Sequence, residues 1–216
     1  MERIGNTRQE YTHLFDVYVP IAIAVFVVIL TLVVFVVLRF RSSSREFPAG
    51  EESSRAAEGA YALVVGCVVA ALLFLTYDSM SDIEASERQA RGPRVDVTAA
   101  KWNWTFHYPD YGVTQLGSDR RPTTLVVPVD TPVRFRMTSI DVIHAFWVPA
   151  QRFKRDAFPA RTTTFVLRFG REGFMQRAGE CNQFCGLLHS SMDFNVDVVG
   201  KTEFRRWLRD KREAAG

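Results

Sequence analysis

The stretch GECNQFCGLLHSSMDF, residues 179–194, concentrates side chains that bind soft metal ions. Cys181 and Cys185 are four residues apart, His189 follows after another four, and Met192 comes three residues later. Thiolate, imidazole and thioether groups suit copper or zinc rather than magnesium or calcium. Methionine separates the first two metals, because copper electron-transfer sites use it as a weak ligand and zinc sites rarely do. The pattern therefore favours copper.

A further histidine and the second cysteine determine which kind of copper site is predicted. His144, in DVIHAFWVP, supplies the upstream histidine of a mononuclear blue-copper site, which also needs one cysteine, a downstream histidine and a methionine. Such a site leaves one of the two cysteines unexplained. Two thiolates that each bridge two metals use both, so the pattern favours a binuclear copper centre. A disulfide between Cys181 and Cys185 and a zinc site are the alternatives.

Two long uncharged stretches precede these residues. Residues 17–38 and 59–77 contain no charged side chain over 22 and 19 positions. As a helix the first would be roughly 33 Å long, enough to cross a hydrocarbon core of about 30 Å. We expect both to be transmembrane helices, since buried core helices are usually shorter and interrupted by polar residues. No small-residue cleavage site follows the first stretch, so we expect it to be retained.

Arginine residues orient the predicted helical hairpin. The N-terminal stretch carries two arginines and the link between the helices carries four: Arg3 and Arg8, then Arg39, Arg41, Arg45 and Arg55. The positive-inside bias places the link in the cytoplasm. The chain is therefore predicted to be a multi-pass protein of a bacterial-type plasma membrane, with both termini and the metal-binding segment outside. That compartment is oxidising, which is why a disulfide has to be considered.

The remainder of the chain has the pattern of an all-β domain. Residues 78–93 are polar and predict a linker, which completes an N-terminal region of residues 1–93. In KWNWTFHY an aromatic residue occupies every second position from Trp102 to Tyr108, as in a half-buried strand. Six or more such short runs, broken by turn residues, predict a sandwich or barrel over residues 94–200. Apolar residues at helical spacing predict an amphipathic helix over residues 201–216.

These motifs together resemble a known family. CNQFCGLLHSSM, DVIHAFWVPAQRFKRDAFPAR and WNWTFHYPD, behind a two-helix hairpin, are similar to subunit II of haem–copper cytochrome c oxidases. The resemblance implies a cupredoxin-type Greek-key domain that holds the binuclear CuA centre. It implies that Cys181 and Cys185 bridge both coppers. The remaining ligands implied are His144 and Met192 on one copper, and His189 and the backbone carbonyl of Gln183 on the other.

The resemblance also implies roles and partners. Trp102 matches the residue at which electrons enter, and Glu58 matches a glutamate at the mouth of a proton pathway. The alternative for Glu58 is a carboxylate favoured by the helix N-terminus. The implied partners are a cytochrome c-type electron donor, the haem-bearing subunit I, other oxidase subunits and the lipid bilayer, and no nucleic acid is expected. The sequence has no C-x-x-C-H haem-attachment motif, so no fused cytochrome c domain is expected. The resemblance assigns oxygen reduction to subunit I.

Two positions depart from the family pattern. Gln183 stands where most members carry a glutamate whose carboxylate helps to hold magnesium at the boundary with subunit I, so that magnesium is doubtful here. The copper ligand at this position is a carbonyl, which glutamine leaves unchanged. Glutamine is typical of a divergent branch whose subunit II usually has one helix, whereas this chain has two. Asn103 stands where an aromatic residue is common.

Charge bears on the electron donor. Residues 94–216 contain 19 Lys and Arg against 13 Asp and Glu, a net charge of +6. Asp110 and Asp141 match family positions near the donor surface, where a local acidic patch would receive a basic donor. Without such a patch, the net charge favours a donor that is not strongly basic.

Two other functions are alternatives to an oxidase subunit. A membrane-anchored copper chaperone with a thioredoxin fold would show βαβ texture and a distant downstream histidine, and the sequence has neither. The CuA domain of another copper enzyme, such as nitrous oxide reductase, would follow a large propeller domain and not a membrane hairpin.

Overall fold

The structure, a computed structural model, describes residues 7–41, 54–118 and 121–214. It divides into two compact units. Thr12–Ser81 form a helical unit, and Asp82–Gly216 together with Met1–Tyr11 form the unit that contains the metal-binding motif.

The helical unit is built from two long helices, α1 (Thr7–Arg39) and α2 (Arg55–Gln89). Both are long and apolar enough to cross a membrane. Their large apolar side chains point outward, as a helix surrounded by lipid requires. A polar contact joins the two helices, because the Tyr18 hydroxyl donates to the Leu72 carbonyl at 2.9 Å and lies 2.6 Å from the Thr76 hydroxyl.

Both helices extend beyond the uncharged stretches 17–38 and 59–77. The larger difference is at α2, which continues through most of the predicted linker and ends at Gln89. Residues 78–89 contain neither glycine nor proline and include several strong helix formers, so nothing in them terminates the helix. Gly92 and Pro93 follow three and four residues after Gln89, and proline favours an extended backbone in the residue before it.

After the end of α2, the described residues of the second unit contain ten strands and one further α-helix. The strands are β1 (Arg94–Ala100), β2 (Asn103–Tyr108), β3 (Val113–Leu116), β4 (Thr123–Pro128), β5 (Pro132–Ser139), β6 (His144–Val148), β7 (Phe153–Ala157), β8 (Thr163–Arg168), β9 (Gly173–Cys181) and β10 (Asp193–Val199). The helix α3 (Lys201–Glu213) follows β10.

The strands form two five-stranded sheets, in the orders β3-β2-β1-β5-β8 and β4-β10-β9-β6-β7. The pairs β1–β5 and β4–β10 are parallel, and the other neighbours are antiparallel. Burial alternates along β1, β2, β5 and β10, because successive side chains of a strand point to opposite faces. The buried faces form the core between the sheets, so the predicted β sandwich is confirmed.

Aromatic side chains dominate this core. Trp104, Phe106 and Tyr108 of β2 are fully buried, as their alternation predicts. Trp102 precedes the strand and is only half-buried at its edge. The rings of Phe146 and Phe194 stack at 4.7 Å between centroids and join the two strands that flank β9. The core is therefore rigid immediately behind the metal-binding motif.

The helix α3 covers the end of β2 that lies away from Trp102. Phe204 and Leu208 are buried, and the Trp207 ring lies 5.2 Å from the Tyr108 ring. Its charged residues Arg205, Arg206, Arg209, Lys211 and Arg212 are exposed.

Candidate metal centre

Two strands and one loop bring the candidate ligands together. His144 is the first residue of β6, Cys181 is the last of β9, and Met192 immediately precedes β10. The Cys181 N–H donates to the Met192 carbonyl at 2.9 Å, and the Asn182 N–H donates to the Ala145 carbonyl at 3.1 Å. The first bond joins the two ends of the loop 182–192, and the second holds the loop against β6, so residues distant in sequence meet at one end of the sheet.

The donor atoms of five side chains form a continuous cluster. Cys181 Sγ lies 3.8 Å from His144 Nδ1 and 3.9 Å from Cys185 Sγ. Cys185 Sγ in turn lies 3.6 Å from His189 Nδ1 and 3.8 Å from Met192 Sδ. A disulfide requires about 2.05 Å between sulfurs, so the two cysteines are free thiols.

The backbone of the loop adds an oxygen to this cluster. The Cys181 thiol donates to the Gln183 carbonyl at 3.2 Å, so this carbonyl points inward. The Gln183 residue is otherwise exposed, so its backbone carbonyl faces the cluster without any need for its side chain to do so. The position is therefore able to offer a ligand whatever its side chain.

Burial and neighbouring charges make the two thiols unequal. Burial opposes ionisation of Cys181, but the hydrogen bond with His144 and the hydrogen bond from the Ala145 backbone outweigh it and lower the pKa of this thiol to about 7. Burial and then the charge of Cys181 raise the pKa of Cys185. Two adjacent thiolates are unfavourable without a compensating positive charge, which a metal cation provides.

The donor set fits copper. The ligand atoms of His144, Cys181 and Cys185 lie within 4.8 Å of one another, and all three residues are buried. Both histidines present Nδ1 to a cysteine sulfur, and a thioether completes the cluster. Soft thiolates, imidazole nitrogens and a methionine are the ligands that copper prefers, and hard cations would require oxygen donors.

Trp102 touches the cluster through the backbone. Its indole N–H donates to the Cys185 carbonyl at 3.3 Å. The next residue, Gly186, has φ +119°, and a Cβ there would lie 3.2 Å from Trp102 Cζ2. A glycine is therefore required both by the backbone conformation and by the close approach of the indole ring.

Trp104 supports the cluster from the core. Its indole N–H donates to the Met192 carbonyl at 3.3 Å, and its ring lies edge-on to His144 with 6.2 Å between centroids. The sequence pattern places Trp104 only on the aromatic face of its strand. Its alternation with Trp102 identifies the strand, but only the three-dimensional structure shows which residue its N–H contacts.

Other residues with predicted roles lie elsewhere. Glu58 is exposed in the first turn of α2, in the helical unit. Asp110 is exposed in the turn after β2, at the end of the strand opposite Trp102. Asp141 is instead hydrogen-bonded to His144. The acidic patch that would include Asp110 and Asp141 stays a prediction.

Known proteins share this fold and sequence. A family model described as "Cytochrome C oxidase subunit II, periplasmic domain" matches residues 113–199. The crystal structure of the periplasmic domain of subunit II of cytochrome oxidase from Bradyrhizobium japonicum matches with 30% identity and a TM-score of 0.51, covering 56% of this chain and 94% of that one. The chain belongs to the cytochrome c oxidase subunit II family.

Full-length relatives of subunit II extend the similarity to the helices. A probable cytochrome c oxidase subunit 2 of Rickettsia prowazekii is 29% identical over 94% of this chain and 68% of the relative. The subunit 2 of Cereibacter sphaeroides is 27% identical over 93% of this chain and 76% of the relative. The predicted family and cupredoxin-like fold are confirmed, and the chain is a membrane-anchored oxidase subunit with an extracytoplasmic domain.

Proposed function

We propose that this subunit II accepts electrons from a cytochrome c-type donor at a binuclear CuA centre and passes them to the haem of subunit I. The observation that carries the proposal is the cluster of two free thiols, two imidazole Nδ1 atoms and a thioether, in which every neighbouring pair lies within 3.9 Å. Two adjacent cysteines have no use in a mononuclear copper site, and both are used when they bridge two metals.

The contacts support the central position of the two cysteines, and the other ligand roles are those that the family resemblance implies. Cys181 and Cys185 occupy the centre of the cluster and would bridge two coppers. His144 Nδ1 lies 3.8 Å from Cys181 Sγ, and His189 Nδ1 lies 3.6 Å from Cys185 Sγ. By the family resemblance, Met192 would complete the copper of His144, and the Gln183 carbonyl would complete the copper of His189. In the cluster Met192 Sδ instead lies 3.8 Å from Cys185 Sγ, and the Gln183 carbonyl lies 3.2 Å from Cys181 Sγ.

This chain's residues supply a rigid and dry environment for the centre. When bound, the metal pair stores one electron between the donor and the haem. The core behind the site fixes His144 and Met192 through the Trp104 contacts, and both cysteines are at most 6% exposed. The barrier to electron transfer is low when the ligands move little between the two redox states. A close-packed core resists larger movements of the ligands.

Trp102 is proposed as the residue through which electrons enter. It is half-buried at the domain edge, and its hydrogen bond leads directly to the backbone of a bridging cysteine. The loop that contains Cys185 also carries two exposed apolar side chains. Phe184 is 77% exposed and Leu187 is 86% exposed. An apolar surface of this kind suits a transient donor, since it gives contact without a strong charge preference.

The proposed topology places the centre outside the cytoplasm. The arginine-rich link between α1 and α2 would be cytoplasmic, and both termini extracytoplasmic, in a bacterial-type plasma membrane. Glu58, at the start of α2, would then lie on the cytoplasmic side, where a proton pathway begins. The Gln183 side chain is a poor ligand for magnesium compared with a carboxylate, so we propose that the magnesium of the subunit boundary is weakened or absent.

The assembled oxidase provides the test. Cys185→Ser should abolish haem reduction by a ferrocytochrome c, measured by stopped-flow spectroscopy, because one bridge cannot hold both metals. Trp102→Phe should slow haem reduction without changing the copper content. Trp207→Phe in α3 is a matched substitution and should leave the rate of haem reduction unchanged. Haem reduction at the normal rate in Cys185→Ser would refute the proposal.

A further inference from the structure

The carboxylate of Asp141 is surrounded by hydrogen-bond donors. Its Oδ1 accepts the Nε2–H of His144 at 2.8 Å and the N–H of Val142 at 2.6 Å. The Ser139 hydroxyl lies 3.2 Å from the same oxygen. Its Oδ2 accepts the N–H of Lys101 at 2.7 Å. Both oxygens are therefore occupied by the protein itself, and the side chain is only 27% exposed.

One of these bonds fixes the state of a metal ligand. A neutral imidazole has one protonated nitrogen, and the bond to Asp141 places that proton on Nε2 of His144. Nδ1, which faces Cys181 Sγ at 3.8 Å, is then left with its free lone pair. Histidine ligands commonly donate their second ring N–H to a carboxylate, which sets both tautomer and ring orientation.

A second hydrogen bond of Asp141, from the Lys101 N–H, lies beside Trp102, the proposed residue of electron entry. Lys101 directly precedes Trp102, so the Lys101 N–H holds the backbone on one side of the indole. On the other side, the indole N–H is bonded to the Cys185 carbonyl. One carboxylate thus connects the backbone beside Trp102 to the ligand His144.

We propose that Asp141 is a positioning residue, which holds His144 in its copper-binding tautomer and fixes the Trp102 segment against the same centre. This assignment rests on the proposed function. It is a role in addition to the expected position of Asp141 near the donor surface, since hydrogen bonds within the domain leave the charge of the carboxylate unchanged.

An amide cannot replace this carboxylate. Asparagine has one acceptor oxygen and one NH2 group, and the NH2 group would face either the His144 N–H or the Lys101 N–H. Two donors then oppose each other, so one of the two connections is lost. Asp141→Asn removes the same charge as Asp110→Asn, whose carboxylate is exposed in the turn after β2, and the pair forms a matched control.

The first experiment measures copper binding to the full chain in detergent, by competition with a chelator. We expect Asp141→Asn to raise the copper dissociation constant about 10- to 100-fold, the usual effect of removing a carboxylate behind a histidine ligand. The electron paramagnetic resonance spectrum should change as well, and Asp110→Asn should match the wild type in both. Wild-type affinity and spectrum in Asp141→Asn would overturn the proposal.

A second experiment needs no variant. Nitrogen-15 NMR of the copper-free wild-type chain reports which ring nitrogen of neutral His144 carries the proton, and we expect Nε2. A proton on Nδ1 would overturn the proposal even if Asp141→Asn fails to fold. Failure of the proposed function looks different, because the wild-type chain itself would then bind no copper pair.

Discussion

Substituting Gly186 by alanine tests how closely the indole of Trp102 depends on the metal-binding loop. Gly186 has φ +119°, which side chains rarely adopt, and its added Cβ would lie 3.2 Å from Trp102 Cζ2 and 3.4 Å from Nε1. Backbone strain of this kind costs about 1–3 kcal/mol. The loop can relieve the contact only by moving the indole away, which stretches its 3.3 Å hydrogen bond to Cys185.

A matched substitution separates the effect of the contact between the added Cβ and the Trp102 indole from the cost of backbone strain. Gly112 has φ +67°, and a Cβ added there would have no atom within 4 Å, so Gly112→Ala meets only the left-handed backbone cost of about 1–2 kcal/mol. We expect both variants to lower the thermal unfolding temperature. Only Gly186→Ala should also change the tryptophan fluorescence and slow haem reduction by a cytochrome c in the assembled oxidase. A normal rate in Gly186→Ala would refute the close coupling of Trp102 to the loop.

Three further predictions concern other parts of the domain. Tyr108→Phe should lower the free energy of unfolding by about 1–3 kcal/mol in a denaturant titration, because the buried hydroxyl bonds both the N–H and the C=O of Val126 at 2.9 Å; an unchanged midpoint would contradict this. Gln183→Ala should leave the copper content nearly intact, and Gln183→Glu should raise the affinity of the assembled oxidase for a divalent cation; loss of copper from the alanine variant would show that the side chain has a role. Oxidation of basic and acidic cytochromes c should depend only weakly on ionic strength, since the basic helix α3 lies at the far end of β2, about 20 Å from Trp102 at 3.3 Å per residue and beyond a Debye length of about 8 Å; a steep decrease with salt for the basic donor alone would contradict it.

Much of the fold can be predicted from local pattern. The aromatic alternation that begins at Trp102 identifies β2, because strand side chains alternate between faces. The uncharged stretches identify α1 and α2 for a similar reason, since hydropathy is a property of a continuous segment. The end of α2 was not predicted, because polar residues that favour a helix look the same as a linker when only hydropathy is considered.

The site is a different case. Cys-x3-Cys-x3-His-x2-Met predicts the cluster because all four residues lie within twelve positions, and the upstream histidine that a copper site needs adds His144 from another strand. The role of Asp141 could not be predicted, since its bond to Lys101 joins positions 40 residues apart. The bond from Trp102 to Cys185 spans 83 residues, and only the paired strands bring these two residues together.

The central claim is that the cluster holds two coppers that share one unpaired electron. Copper analysis and electron paramagnetic resonance of the purified full chain test it most directly. We predict two coppers per chain and a spectrum with hyperfine splitting from both, and Cys181→Ser should abolish that signal. A single copper per wild-type chain with the spectrum of a mononuclear blue-copper site would contradict the account.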